Sequence, residues 1–230
     1  MKKNKVHTII LARGGSKGVK NKNIIKVNKK PLIYWSIKAS LKSKKISDTW
    51  VSSDNFRILK LSKKYGAKII LRPKKLSTDV ASSESAWLHA INEIKKKNEI
   101  THVVGIQPTS AIRESKDLDR ALNKFFKNKY DSLFSANEKD ESFSWKISKK
   151  LTPEYNIKSR PRRQDLPRRI SENGSFYIFD ARKFLKEKNR LFGKISYHLL
   201  EKYKSFEIDS YDDIIIVNSI LKNFRKNYKN

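Results

Sequence analysis

Val6-His7-Thr8-Ile9-Ile10-Leu11, followed at once by Ala12-Arg13-Gly14-Gly15-Ser16-Lys17-Gly18-Val19-Lys20-Asn21-Lys22-Asn23, is the stretch whose reading decides the fold. The first six residues form a short apolar run, which reads as a strand buried in a sheet. Behind it come three glycines. Without a Cβ they let the backbone approach a ligand closely and turn its N–H groups into an anion-binding nest. Arg13, Lys17, Lys20 and Lys22 add cations, so the loop suits a triphosphate. It does not have the Gly-Lys-Ser/Thr ending of a Walker A loop, nor the Gly-x-Gly-x-x-Gly spacing of dinucleotide folds. A lysine-rich surface turn has a similar composition; the position directly after a strand is what favours a binding loop.

Outward from this stretch the same alternation repeats. Pro31 to Leu41 reads as a helix with Pro31 in its first turn. Asp48 to Ser52 reads as a strand, and Asn55 to Tyr65 as a helix capped by Asp54 and ended by Gly66. Strands are predicted at Ala67 to Leu71, His102 to Ile106, Asp131 to Ala136, Gly174 to Phe179 and Ser205 to Ile208. Helices are predicted at Ser83 to Lys97, Ser115 to Lys127 and from about Asp212 to Asn227. Repeated strand–helix–strand units predict an α/β fold, a mainly parallel sheet with helices on both faces. In such sheets ligands sit beyond the carboxyl ends of the strands. Between about residues 137 and 170 the periodicity lapses, and the basic run Arg160-Pro161-Arg162-Arg163 appears. This segment reads as a linker or as an arm reaching another subunit.

A chain of 230 residues fits a single domain, 1–230, with that arm within it. There is no cysteine, which excludes disulfides and thiolate metal sites. The apolar run from Thr8 to Ala12 is too short for a signal-peptide core or a membrane span, so a cytoplasmic location and no membrane partner are expected. Fifty-three Lys and Arg against 23 Asp and Glu give a formal charge of +30. A nucleic-acid partner calls for cations clustered on one face. Here they are spread from Lys2 to Lys229, which favours a solvated surface and no specific nucleic acid.

Three more constellations follow predicted strands. Leu71-Arg72-Pro73 with Leu76-Ser77-Thr78-Asp79-Val80-Ala81-Ser82-Ser83 can read a base edge, although Ser82 or Ser83 also suits a helix cap. Gln107-Pro108-Thr109-Ser110-Ala111-Ile112-Arg113 places Gln107 at a strand end in the ligand crevice, or marks only a proline-stopped turn. Glu207-Ile208-Asp209, followed by Asp212-Asp213, places two acids two apart on a predicted strand, hence on one face. Side by side they repel unless a cation lies between them, and magnesium is typically held by one or two carboxylates plus substrate phosphates. An acidic strand end favouring the next helix is the alternative.

Taken in order, A-R-G-G-S-K-G-x-x-x-K-N, L-R-P with S-T-D-x-A-S-S, Q-P-T-S-x-x-R, N-G-x-x-Y and E-I-D-S-x-x-D resemble the acylneuraminate cytidylyltransferase family, the CMP-sialic acid synthetases. The resemblance runs from about Val6 to Ile215. It implies a Rossmann-like fold, a homodimer with a protruding arm at about 137–170, and a magnesium-dependent reaction. CTP and a nine-carbon acidic sugar, a nonulosonic acid of the N-acylneuraminate or legionaminate type, would give a CMP-sugar and pyrophosphate.

Carried over onto this sequence, the resemblance implies Arg13 and Lys22 on the triphosphate, with Ser16 and Asn23 on the nucleotide. Arg72, Ala81 and Ser83 would contact the cytosine. Gln107, Lys146, Arg163, Asn173 and Tyr177 would surround the sugar, and Glu207 and Asp209 would bind Mg2+. Glu207 stands where the family more usually has Asp, and Lys20 and Ala111 stand where it often has proline. His7, His89, His102 and His198 match none of these motifs and read as structural. Two alternatives remain at this point. One is a cytidylyltransferase for an eight-carbon acid sugar, or another sugar nucleotidyltransferase; the arm around Arg163 and the Asn173-Gly174 turn favour the nine-carbon group. The other is a basic nucleic-acid-binding protein without catalysis, which would be indifferent to losing Asp209.

Overall fold

The computed structural model describes residues 4–139, 143–162, 165 and 168–227. Its centre is a seven-stranded sheet. In chain order the elements are β1 (Val6–Leu11), the short ladder β2 (Lys26–Val27) and β3 (Lys30–Pro31), α1 (Leu32–Leu41), β4 (Asp48–Ser53), α2 (Phe56–Lys64) and β5 (Lys68–Leu71). Then come α3 (Ser83–Lys95), β6 (His102–Ile106), α4 (Ser115–Lys127), β7 (Ser132–Glu138), the hairpin β8 (Trp145–Ile147) and β9 (Leu151–Pro153), and β10 (Ile170–Asp180). The chain continues through α5 (Ala181–Glu187), β11 (Ile195–Leu199) and α6 (Tyr211–Asn227).

The strand order is β11-β7-β10-β6-β1-β4-β5. β10 alone runs against its neighbours β6 and β7; the pairs β1–β4, β1–β6, β4–β5 and β7–β11 are parallel. The mainly parallel sheet predicted from the alternation is therefore present, with one reversed strand inside it.

Alternation along the strands separates two cores. Ile10, Val104, Ile106, Phe176 and Ile178 point to one face and pack with Ile33 and Ile37 of α1, Ile58 of α2 and Leu118, Leu122 and Phe125 of α4. Their neighbours Ile9, Val103, Tyr177 and Phe179 point to the other, against Trp87, Ile91 and Ile94 of α3 and Phe184 of α5. This is the period of two expected of a sheet covered on both sides. Each of these large side chains contributes on the order of 1.5–3 kcal/mol by leaving water. A third cluster, with Val217 and Leu221 of α6, Leu32 of α1, Ala111, Ile112 and Ile208, sits to one side. It fastens α6 next to the chain segment that carries Glu207 and Asp209.

Several local readings change. Asn55, not Asp54, caps α2: its side chain accepts from the N–H groups of Arg57 and Ile58. Asp54 instead accepts from the backbone N–H of Gly14 at 2.9 Å. The predicted strand at Ser205 to Ile208 is absent: a 3-10 turn over Lys202–Ser205 leads into irregular backbone before α6. The segment left without periodicity holds the β8–β9 hairpin, and α5 and β11 are further elements. No described helix is long and apolar enough to cross a membrane.

Candidate active site

Because β1, β4, β5 and β6 are parallel, their carboxyl ends share one edge of the sheet. The ladder continues one step beyond them: Ala12 N–H donates to the carbonyl of Ser52 at 3.0 Å, and Arg72 N–H to that of Ser53 at 2.8 Å. The loops carrying Arg13, Arg72 and Gln107 therefore leave the sheet side by side. Between them lies a cleft of about 530 Å³. Arg13, Ser16, Lys22, Asn23, Arg72, Ala81, Ser83, Gln107 and Asp209, nine residues singled out in the sequence, all line it.

The glycine loop is shaped by close approach. A Cβ on Gly18 would fall 2.2 Å from the backbone oxygen of Asp209, so only glycine lets this loop meet the 206–210 segment. Asn23 is 7% exposed, and its Nδ2 donates to the carbonyl of Arg13 at 2.9 Å, fixing the loop's path. Arg13 Nη1 lies 2.8 Å from Asp79, and Lys22 Nζ 2.8 Å from Asp209. Arg72 is different. It is 5% exposed, and its Nε and Nη2 have no partner. Burial holds its pKa below the ordinary arginine value, with Asp54 opposing and Arg13 adding to the effect. Buried guanidinium donors left open are costly unless a ligand satisfies them. Ser82 caps α3 through its hydroxyl, which accepts from Ser85 N–H at 3.1 Å, leaving the Ser83 side chain without the capping task.

A second cleft of about 460 Å³ adjoins the first through Gln107. Asn173 and Tyr177 line it, together with Asn137, Glu172, Gly174 and Glu207. Gly174 has φ +64°, and a Cβ there would meet Glu207 Oε1 at 2.2 Å. Asn173 Oδ1 accepts from Ser135 Oγ at 2.6 Å, while its buried Nδ2 has no partner. Tyr177 Oη donates to Glu172 at 2.9 Å; burial first, and this bond second, push its pKa up to about 12. Both clefts are tied together by Arg113, 4% exposed. Its guanidinium donates to the carbonyl of Gln107 at 3.1 Å, to the carbonyl and hydroxyl of Ser175, and to Ser36 Oγ.

The acid pair is the main correction. Glu207 and Asp209 lie on irregular backbone rather than a strand, and they divide between the clefts: Asp209 lines the first, Glu207 the second. Burial, and next the charge of Asp209, push the Glu207 carboxyl up to about 7, with Arg113 opposing. No group of three or more metal-ligating side chains occurs among the described residues. Two carboxylates, one in each of two adjoining clefts, suit a magnesium ion that takes its remaining oxygens from a bound ligand rather than an all-protein cage.

Lys146 sits exposed on β8 and lines neither cleft. Arg163 lies outside the described residues. None of the four histidines lines either cleft. His7, for one, is a structural group, accepting from Trp50 Nε1 at 3.2 Å and sitting 2.9 Å from the carbonyl of Glu99. Sequence reasoning passed over Asp79, Glu172 and the linking role of Arg113. Asp79 and Arg113 each had a signal, the one its place in the Ser77-Thr78-Asp79 motif and the other at the end of the Gln107-Pro108 motif.

Known proteins resemble this chain in sequence and in fold. The sequence profile described as cytidylyltransferase matches residues 7–215. The chain is 37% identical over 212 residues to N-acylneuraminate cytidylyltransferase A of Danio rerio, covering 89% of this chain and 48% of that protein. It is 33% identical over 226 residues to pseudaminic acid cytidylyltransferase of Campylobacter jejuni subsp. jejuni, covering 93% of this chain and 95% of that one. The chain thus spans about half the length of the fish relative and nearly all of the bacterial one. A CMP:2-keto-3-deoxy-manno-octonic acid synthetase solved with CTP superposes with a TM-score of 0.72 over 96% of this chain and 100% of its own, at 14% identity. That likeness is one of fold.

Proposed function

We propose that this chain, which belongs to the cytidylyltransferase family, joins CMP from CTP to a nonulosonic acid and releases pyrophosphate. The observation that carries the reading is the pair of clefts meeting at Gln107. One is lined by cations and an open, buried arginine; the other is lined by polar groups that include the unpartnered Nδ2 of Asn173. Relatives named for N-acylneuraminate and for pseudaminic acid support the same substrate class.

In this reading CTP occupies the first cleft. Arg13, Lys17 and Lys22 face the triphosphate, and Arg72, Ala81 and Ser83 face the cytosine. The sugar occupies the second cleft, with Gln107, Asn173 and Tyr177 against its polar groups. Its anomeric hydroxyl attacks the α-phosphorus in line and gives up its proton to solvent, the bond to the bridging oxygen breaks, and pyrophosphate leaves. The chain contributes orientation, held by the Arg113 fork, and fixed positive charge where the leaving group gathers negative charge. Glu207 and Asp209 are the residues that would hold Mg2+, which when bound supplies positive charge to phosphate oxygens.

We further propose a homodimer through the 137–170 arm. Trp145, Ile147, Leu151 and Ile157 on it are exposed apolar residues, which a partner surface would cover. The cytoplasm, where CTP is made, is the proposed location. The direct test of the reaction is pyrophosphate release from CTP and magnesium with and without a nine-carbon acid. Release that requires the sugar supports the reading, and CTP left intact with every acid sugar contradicts it.

A further inference from the structure

An aspartate is an unexpected lining for a cleft that takes a polyanion. Asp79 stands on the loop between β5 and α3 and bridges two cations of the glycine loop, with Oδ1 2.8 Å from Arg13 Nη1 and Oδ2 3.2 Å from Lys17 Nζ. Its two oxygens, each on a different cation, imitate the contact a phosphate makes. Pairing with Lys17 first, and with Arg13, holds its carboxyl below the ordinary carboxylate value. The adjacent Val80 is 94% exposed, so the tip of this loop projects into solvent beside the ion pairs. Asp209, the other acid of this cleft, already has a place at the junction with the sugar cleft. Asp79 has none there.

The junction also says which phosphates are involved. The α-phosphorus must lie where the clefts meet, near Gln107, Glu207 and Asp209. Arg13 and Lys17, cations of the glycine loop, line the nucleotide cleft and not the second one, and in the nucleotide reading they serve the phosphates beyond the reacting one.

We infer that Asp79 is a specificity-determining residue for the phosphate chain: in the empty cleft it holds Arg13 and Lys17 in place of the β- and γ-phosphates, and those phosphates must displace it to bind. The inference rests on the nucleotide reading of the first cleft. A triphosphate or pyrophosphate brings enough charge to take both cations; a monophosphate does not reach them and leaves Asp79 where it is. Once the phosphoanhydride bond has broken, Asp79 competes with pyrophosphate for the same two cations and favours its departure.

Calorimetric titration of the whole chain with CTP, pyrophosphate and CMP, in magnesium and without sugar, tests this on wild type and on Asp79→Asn. An exposed ion pair of this kind is worth a small factor, so Asp79→Asn is expected to tighten CTP and pyrophosphate binding about two- to five-fold. CMP binding stays unchanged. CTP and pyrophosphate affinities equal to or weaker than wild type would overturn the inference, since Asp79 would then be neutral or a ligand of the nucleotide. Equal tightening of CMP would overturn it as well, because the competition would not be for the outer phosphates. Wild type that fails to bind CTP at all would instead remove the nucleotide reading beneath it.

Discussion

Lys22 Nζ lies 2.8 Å from Asp209 Oδ1, joining two residues 187 positions apart across the mouth of the nucleotide cleft. The pair connects the glycine loop after β1 to the segment before α6, and in the proposed function each partner takes a second task, Lys22 on the triphosphate and Asp209 on magnesium. Asp209→Ala is therefore expected to lower kcat/KM about a hundredfold or more, and chelation of magnesium to stop wild-type turnover. Steady-state kinetics with CTP varied would show it. Near-normal activity in the variant would remove Asp209, and the metal site built on it, from the reaction.

Lys22→Ala and Arg13→Ala are expected to impair use of CTP by about tenfold or more each, because they face charge that moves toward pyrophosphate in the transition state. The loss should appear in kcat/KM for CTP. An unchanged value in both variants would reduce the glycine loop to a surface turn.

Gly174→Ala tests the sugar cleft. The added Cβ would collide with Glu207 Oε1 and sit at φ +64°, so the 173–175 corner and the Glu207 carboxylate cannot both stay in place. The expected result is a rise in KM for the sugar, or a loss of kcat, of about tenfold or more, with CTP affinity by titration within about twofold of wild type. Loss of CTP binding with the sugar KM intact would show that the two clefts have been assigned the wrong way round.

Lys204→Met tests what holds the acid-bearing segment. Lys204 is 0% exposed, and its ammonium lies 2.8–2.9 Å from carboxylates of Glu114, Asp117 and Glu201. Those carboxylates raise its pKa above the ordinary lysine value against a burial effect that lowers it. Removing the cation leaves the buried Asp117 carboxylate without its partner, a loss of about 3–5 kcal/mol measurable by denaturant unfolding. A change below about 1 kcal/mol would mean that the ion cluster does not anchor the turn leading to Glu207 and Asp209.

What could be read in the sequence follows from burial. β1, β4, β6 and β7 lie inside a covered sheet and β5 at its edge keeps the run Ile69-Ile70-Leu71, so each shows as an apolar or small-residue run, and the residues just after β1, β5 and β6 could be placed at the cleft from the sequence. β11, at the opposite edge, was passed over although Ile195-Ser196-Tyr197-His198-Leu199 has the alternation of a half-covered strand; it lacks the continuous apolar run that marked the inner strands. Phe206-Glu207-Ile208 imitates strand alternation, but Ile208 is buried against α6 and Ala111 rather than in the sheet. That error put Glu207 and Asp209 on one face, whereas they serve different clefts. Spacing gives two carboxylates; which cleft each enters depends on a 3-10 turn set by Lys204, a long-range ion cluster without a local signature. Asp79 stood in the quoted Ser77-Thr78-Asp79 motif, but its pairing could not be read there, since Arg13 and Lys17 are more than 60 positions away.

The assignment to a nine-carbon acid is tested most directly by kcat/KM for CMP-sugar formation across N-acetylneuraminic, legionaminic, pseudaminic and eight-carbon acids, with the product identified by mass. The account predicts the highest value for one of the three nine-carbon acids and a CMP-linked product of that sugar. A highest value for the eight-carbon acid, or no CMP-linked product with any of them, would contradict it.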